Sequence, residues 1–152
     1  MKKTIKLAFL FVIIGFIIGD YIFTEQKEII NSLSNKETLY FLEEGVYLNK
    51  NNLQANIKNL EEKVIENTNS KYYVYVGITR DKEVATKLKK IYKSLGYEIK
   101  EKEKSIPHED FITNVEQFDI LLKDTNDTEQ ILTIEEIVLS NYEEILKKSS
   151  KT

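Results

Sequence analysis

Tyr72-Tyr73-Val74-Tyr75-Val76-Gly77, followed by Asp81, an amphipathic run to Leu95, Gly96 and an alternating stretch to Lys102, is the part of the chain whose reading decides the fold. Aromatic and β-branched residues in an unbroken run predict a strand over Tyr72–Thr79. Asp81 is placed to accept backbone N–H groups as an N-cap, so a helix is expected over Lys82–Leu95, with Val84, Leu88, Ile91, Tyr92 and Leu95 as its apolar stripe. Gly96 supplies the positive φ that ends such a helix. Tyr97–Lys102 then alternates Tyr97 and Ile99 against Glu98 and Lys100, the pattern of a half-buried edge strand.

A blurred copy of the first half begins thirty-two residues earlier, at Tyr40. Tyr40-Phe41-Leu42-Glu43-Glu44-Gly45 aligns with Tyr72 to Gly77, and Leu53, Ile57 and Leu60 precede Val84, Leu88 and Ile91 by thirty-one residues. The copy predicts a strand over Thr38–Tyr47 and a helix over Lys50–Leu60; a short strand over Lys63–Asn67 and a polar turn, Asn67-Thr68-Asn69-Ser70, follow. The order is β-α-β-β-α-β, an internally duplicated α+β module over residues 36–104.

Outward from the module, Lys2, Lys3 and Lys6 accompany an apolar stretch, Ile5–Phe23. At 1.5 Å per residue it spans roughly 28 Å, close to the ~30 Å hydrocarbon core of a bilayer. Residues 1–23 are expected to form a cytoplasmic N-terminus and an uncleaved transmembrane anchor, with residues 24–35 as a spacer and the rest of the chain outside the cytoplasmic membrane by the positive-inside rule. Beyond the module, Phe111, Val115, Phe118 and Leu122 form one helical stripe and Ile131, Ile134, Val138, Tyr142 and Ile145 another, with Asp127 and Gln130 resembling a capping box. Residues 105–149 are therefore expected to be an acidic helical extension, an antiparallel pair, ending in a tail over residues 150–152.

Charge divides at the same boundary. Lys36–Lys104 carries fourteen basic and eleven acidic side chains, net +3, and Ser105–Thr152 four and eleven, net −7. Neither part has the dense basic stripe of a nucleic-acid binder. There is no cysteine, which excludes disulfides and thiolate chemistry, and the lone His108 sits beside Pro107 at a helix start, the place of a solvent-facing cap. Glu43-Glu44 and Glu61-Glu62 are sequence neighbours whose side chains diverge, so they do not make a glycosidase pair. No catalytic residue, metal or cofactor is expected.

Alternation along the strands places Val74, Val76 and Ile78 against the helices and turns Tyr73, Tyr75 and Gly77, with Phe41, Glu43 and Gly45, toward the other face. That face is either open, with Phe41, Glu43, Tyr73 and Tyr75 as a candidate carbohydrate platform of rings and a carboxylate, or covered by the C-terminal helices. Glu44 falls on the helix-facing parity, so either the register slips near Gly45 or that strand end reaches solvent.

Tyr73-Val74-Tyr75-Val76-Gly77-Ile78, Asp81, Ala85, Leu88 and Leu95-Gly96-Tyr97 resemble the SPOR domain, a sporulation- and division-related repeat of bacterial envelope proteins. The resemblance implies a four-stranded antiparallel sheet that binds peptidoglycan glycan strands at septa. Tyr75 stands where many members carry Gln, and Glu43-Glu44 breaks the usual apolar alternation of the first repeat. Two functions follow as expectations: a membrane-anchored glycan-strand-binding accessory protein, or a non-catalytic scaffold component of an envelope complex. In the second, residues 106–147 recruit a protein partner or pair with a second copy.

Overall fold

The computed structural model describes residues 38–150, and the expected anchor and spacer lie outside them. The described chain belongs to one compact unit. Its strands are β1 (Thr38–Tyr47), β2 (Val64–Thr68), β3 (Lys71–Thr79) and β4 (Lys100–Ser105); its helices are α1 (Lys50–Asn56), α2 (Lys82–Ser94), α3 (Glu109–Asp124) and α4 (Thr128–Ser149). The strands form a single antiparallel sheet in the order β2-β3-β1-β4, so the two repeat strands, β1 and β3, pair at its centre. Among the described residues no helix is long and apolar enough to cross a membrane.

Local signals account for most element boundaries. The Asp81 side chain accepts the N–H of Glu83 at 2.8 Å and of Val84 at 3.2 Å, opening α2. At its end Gly96, with φ +91°, makes a Schellman motif: the Gly96 N–H reaches the Lys93 carbonyl at 3.1 Å and the Tyr97 N–H the Tyr92 carbonyl at 3.0 Å. The Tyr97 ring meets the Tyr92 ring edge-on across this turn, at 6.5 Å between centroids. Tyr97 thus belongs to the cap, which corrects the expected Tyr97–Lys102 strand to Lys100–Ser105. Between β2 and β3, Asn69 and Ser70 both take positive φ, +53° and +60°, forming the two-residue turn whose twist suits an antiparallel hairpin. Asp127 accepts the Gln130 N–H at 2.9 Å and starts α4.

Register, which alternation alone does not specify, redistributes side chains between the faces. Phe41 lies opposite Ile78 and Leu42 opposite Gly77, but Glu43 lies opposite Tyr75 and Gly45 opposite Val74. One residue is passed over on β3, at Val76, and one on β1, at Glu44; each bulge shifts the parity beyond it. The slip near Gly45 is therefore real, and the half-buried Glu44 accepts the Tyr47 hydroxyl at 2.8 Å. Gly77, expected on the face away from the repeat helices, instead shares the side of Leu42 and lies close to both α2 and α4: a Cβ there would stand 3.0 Å from Leu42 Cδ1 and 3.3 Å from both Leu88 Cδ1 and Glu135 Oε2.

The helices form two layers. Val84, Ala85, Leu88 and Tyr92 of α2 are buried on the sheet's repeat-helix face. The α3–α4 hairpin reaches from the β3 margin, where Glu135 bonds Ile78, onto the ring-bearing face, where Tyr142 meets Phe41, and buries Phe111, Ile112, Val115, Phe118 and Leu122 from one helix and Ile131, Ile134, Val138, Leu139 and Tyr142 from the other. At ~1.5 to 3 kcal/mol per buried large apolar side chain, this hairpin is an integral layer of the core. Lys87 of α2 ties it in by donating to the backbone carbonyls of Leu122, at 2.8 Å, and Thr125, at the C-terminus of α3.

Candidate functional site

The residues expected to form a carbohydrate platform lie beneath this second helical layer. Phe41 is 0% and Tyr75 3% exposed; the Phe41 ring is edge-on to both Tyr75 and Tyr142, at 5.0 and 5.1 Å between centroids. Tyr142 comes from α4, so the covered-face alternative is the one the chain adopts. Glu43 is also buried, opposite Tyr75 on one side and Lys100 on the other. Tyr73, half-buried, stacks on Tyr75 at 6.4 Å and is the least covered of the four. Phe41, Glu43 and Tyr75 are thus covered rather than open, and Tyr73 is half-covered: the hairpin's apolar stripes need a partner surface, and the ring-bearing face provides it.

At the centre of this covered surface stands a lysine. Lys104 of β4 places its Nζ 4.7 Å from the Phe41 ring centroid, 5.0 Å from Tyr75 and 5.8 Å from Tyr142, and donates to Glu66 Oε2 at 2.6 Å. The Tyr142 hydroxyl donates to the same Glu66 oxygen at 2.8 Å. An ammonium among three π faces with a carboxylate beside it is a self-satisfied cation–π cluster. It joins β2, β4 and α4, elements far apart in sequence.

Burial first, and Glu66 next, raise the phenols of Tyr75 and Tyr142 above their ordinary value, so both hydroxyls stay protonated at physiological pH. A second polar set closes the sheet margin. β2 pairs with β3 only as far as Tyr75, leaving the last β3 residues bonded on the β1 side alone. Here Glu135 Oε2 accepts the Ile78 N–H at 3.1 Å and Asp119 Oδ2 the Arg80 N–H at 2.8 Å, while the Thr79 hydroxyl donates to Asp119 Oδ1. Two carboxylates thus stand in for the missing strand, satisfying donors that are costly to bury unpaired. Burial pushes the Asp119 carboxyl up to about 6, against the lowering effect of those hydrogen bonds, and raises that of the fully buried Glu135 well above the usual carboxylate range.

Lys104, Glu66, Asp119 and Glu135 were not among the residues expected to matter. Asp119 and Glu135 carried a usable signal: each is an acid inside an apolar helical stripe, beside Phe118 and Ile134. His108 takes the N-cap position of α3, exposed and without a side-chain capping bond. An open groove of about 520 Å³ runs between the start of α3 and the end of α4, lined by His108, Asp110, Asn114, Asn141, Glu144 and Lys148 among others. No protein-family model matches this chain, nor does any curated protein or any solved structure.

Proposed function

We propose that the chain is a membrane-tethered, SPOR-like, non-catalytic interaction component of a bacterial envelope complex, with its ring-bearing sheet face used for folding. The observation that carries this reading is Tyr142 seated on Phe41, which in turn meets Tyr75, with Lys104 and Glu66 filling the space beside the rings where a sugar would have to lie. The lysine-flanked apolar run over residues 5–23 supports attachment to the cytoplasmic membrane with the folded unit outside. The β-α-β-β-α-β order with β1 and β3 central supports the family resemblance.

Sedimentation with insoluble peptidoglycan, intact and after amidase treatment, tests the reading. The full chain stays in the supernatant with both materials, and a fluorescent fusion carrying Tyr73→Ala keeps the envelope localisation of the wild type. Enrichment on the denuded glycan, lost in that variant, would return the function to glycan binding.

A further inference from the structure

The two margins of the sheet are finished differently. On the β3 side the backbone donors beyond β2 are occupied by the buried carboxylates of Asp119 and Glu135. On the other side β4 pairs with β1, and among the described residues no further backbone hydrogen bond ends on it. A row of unpaired N–H and C=O groups is a template for strand addition.

What β4 can accept is set by its charges. Alternation puts Lys100, Lys102 and Lys104 on the hairpin side of the sheet and Glu101 and Glu103 on the α2 side. The contacts agree: Lys104 reaches the Phe41 and Tyr75 rings, and Glu101 pairs with Lys82 and Lys89 of α2. A second copy is a poor partner. Antiparallel pairing of two β4 strands about a twofold axis normal to the sheet keeps the faces in common, so each lysine would meet a lysine and each glutamate a glutamate. In-register parallel pairing has the same fault.

Charges already committed narrow the choice further. Glu101 is held by two lysines and Lys104 by Glu66, whereas Lys100, exposed and across from the buried Glu43, forms no ion pair among the described residues. Lys102 is exposed, lies across from the uncharged Phe41, and among the described residues forms no ion pair. Glu103, exposed and opposite the uncharged Tyr40, likewise forms no ion pair among the described residues, so the unbalanced charge of the edge is positive on its hairpin side and a single carboxylate on its α2 side.

We infer that β4 accepts an extended segment of another protein as a fifth strand, with carboxylates at alternate positions over Lys100 and Lys102. This deepens the interaction reading above and rests on it. The lysines do two jobs in such an edge: they repel self-pairing and select an acidic strand.

The test uses the full chain in detergent micelles and two capped seven-residue peptides, one alternating glutamate with threonine and the other lysine with threonine. Hydrogen exchange over residues 100–105 is followed during titration at low salt. The glutamate peptide slows exchange there and binds at least fivefold more tightly than the lysine peptide. In Lys100→Glu/Lys102→Glu that order reverses, which shows the lysines at work without depending on a backbone variant. Unchanged exchange over residues 100–105 with both peptides, equal binding of the two, or a concentration-dependent dimer joined through β4 would overturn the inference. If β4 fails in this way while the chain still stays off peptidoglycan and its fusion still localises, the interaction reading stands and only its site is lost.

Discussion

Replacing Tyr142 by alanine is the most direct test that the hairpin seals the sheet. The ring is 4% exposed, lies 5.1 Å from Phe41 and 5.8 Å from Phe111, and its hydroxyl donates to Glu66 at 2.8 Å. Truncating a buried aromatic to alanine costs ~3 to 5 kcal/mol, from lost transfer energy and the cavity left behind. Glu66 keeps its bond to Lys104 at 2.6 Å, so no acceptor is orphaned and the lower part of that range, about 3 to 4 kcal/mol, applies. Tyr142→Phe keeps the packing and removes only the hydroxyl, so it costs about 1 kcal/mol. Urea unfolding of the two variants beside the wild type gives the differences. Nitration by tetranitromethane provides an independent readout, because Tyr75 becomes reactive once its cover is gone. A Tyr142→Ala chain destabilised by less than about 1 kcal/mol, with Tyr75 still unreactive, would refute the covered face.

Asp119 makes stability depend on pH with a definite sign. Its folded-state pKa, about 6, lies above its ordinary 3.8, so its contribution is fully present below about pH 4 and is lost as pH rises through 6. Denaturation of Asp119→Asn against wild type from pH 4 to 7.5 should show the wild type losing on the order of 2 to 3 kcal/mol relative to the variant. Parallel curves would contradict the buried carboxylate. Gly77→Ala places a methyl 3.0 Å from Leu42 and 3.3 Å from both Glu135 Oε2 and Leu88, and overpacking of that kind costs ~1 to 3 kcal/mol by thermal or urea unfolding. A chain ending at Ser105 leaves Phe41 and Tyr75 bare and the Ile78 and Arg80 N–H groups without their carboxylates; by circular dichroism and proteolysis it should not fold, whereas a resistant 36–105 fragment would show the hairpin to be an appendage.

The parts of the fold that were legible are those determined within a few residues. β3 follows from its aromatic and β-branched run, and α2 from the Asp81 cap, its apolar stripe and Gly96. What failed was long-range. The apolar alternation of Tyr97 and Ile99 points to a strand three residues too early, while the strand itself, Lys-Glu-Lys-Glu-Lys-Ser, has no such alternation and owes its place to pairing with β1. The facing of Gly77 was inverted by the bulge at Val76, since a single passed-over residue moves everything beyond it to the other side. The rings of the candidate site were found and their exposure was not: propensity selects Phe41 and Tyr75 for a strand in either case, and only the arrival of Tyr142 decides between floor and core.

Asp119 and Glu135 connect these failures. A β3 strand that runs four residues beyond its last pairing with β2 must present bare donors at the margin, and an apolar helix laid there would leave them unsatisfied. An acid in each helix of the hairpin removes that cost, but only where α3 and α4 both lie close against β3; elsewhere on the sheet two buried carboxylates would themselves be unpaired. The acids therefore restrict where the hairpin can dock, while the apolar stripes supply the affinity. Docked there, α4 carries Tyr142 onto Phe41 and Glu66, so the closing of one sheet margin and the covering of the ring-bearing face are a single event. β4, on the far side of β1, gives Lys104 to the covered cluster and keeps its outer edge.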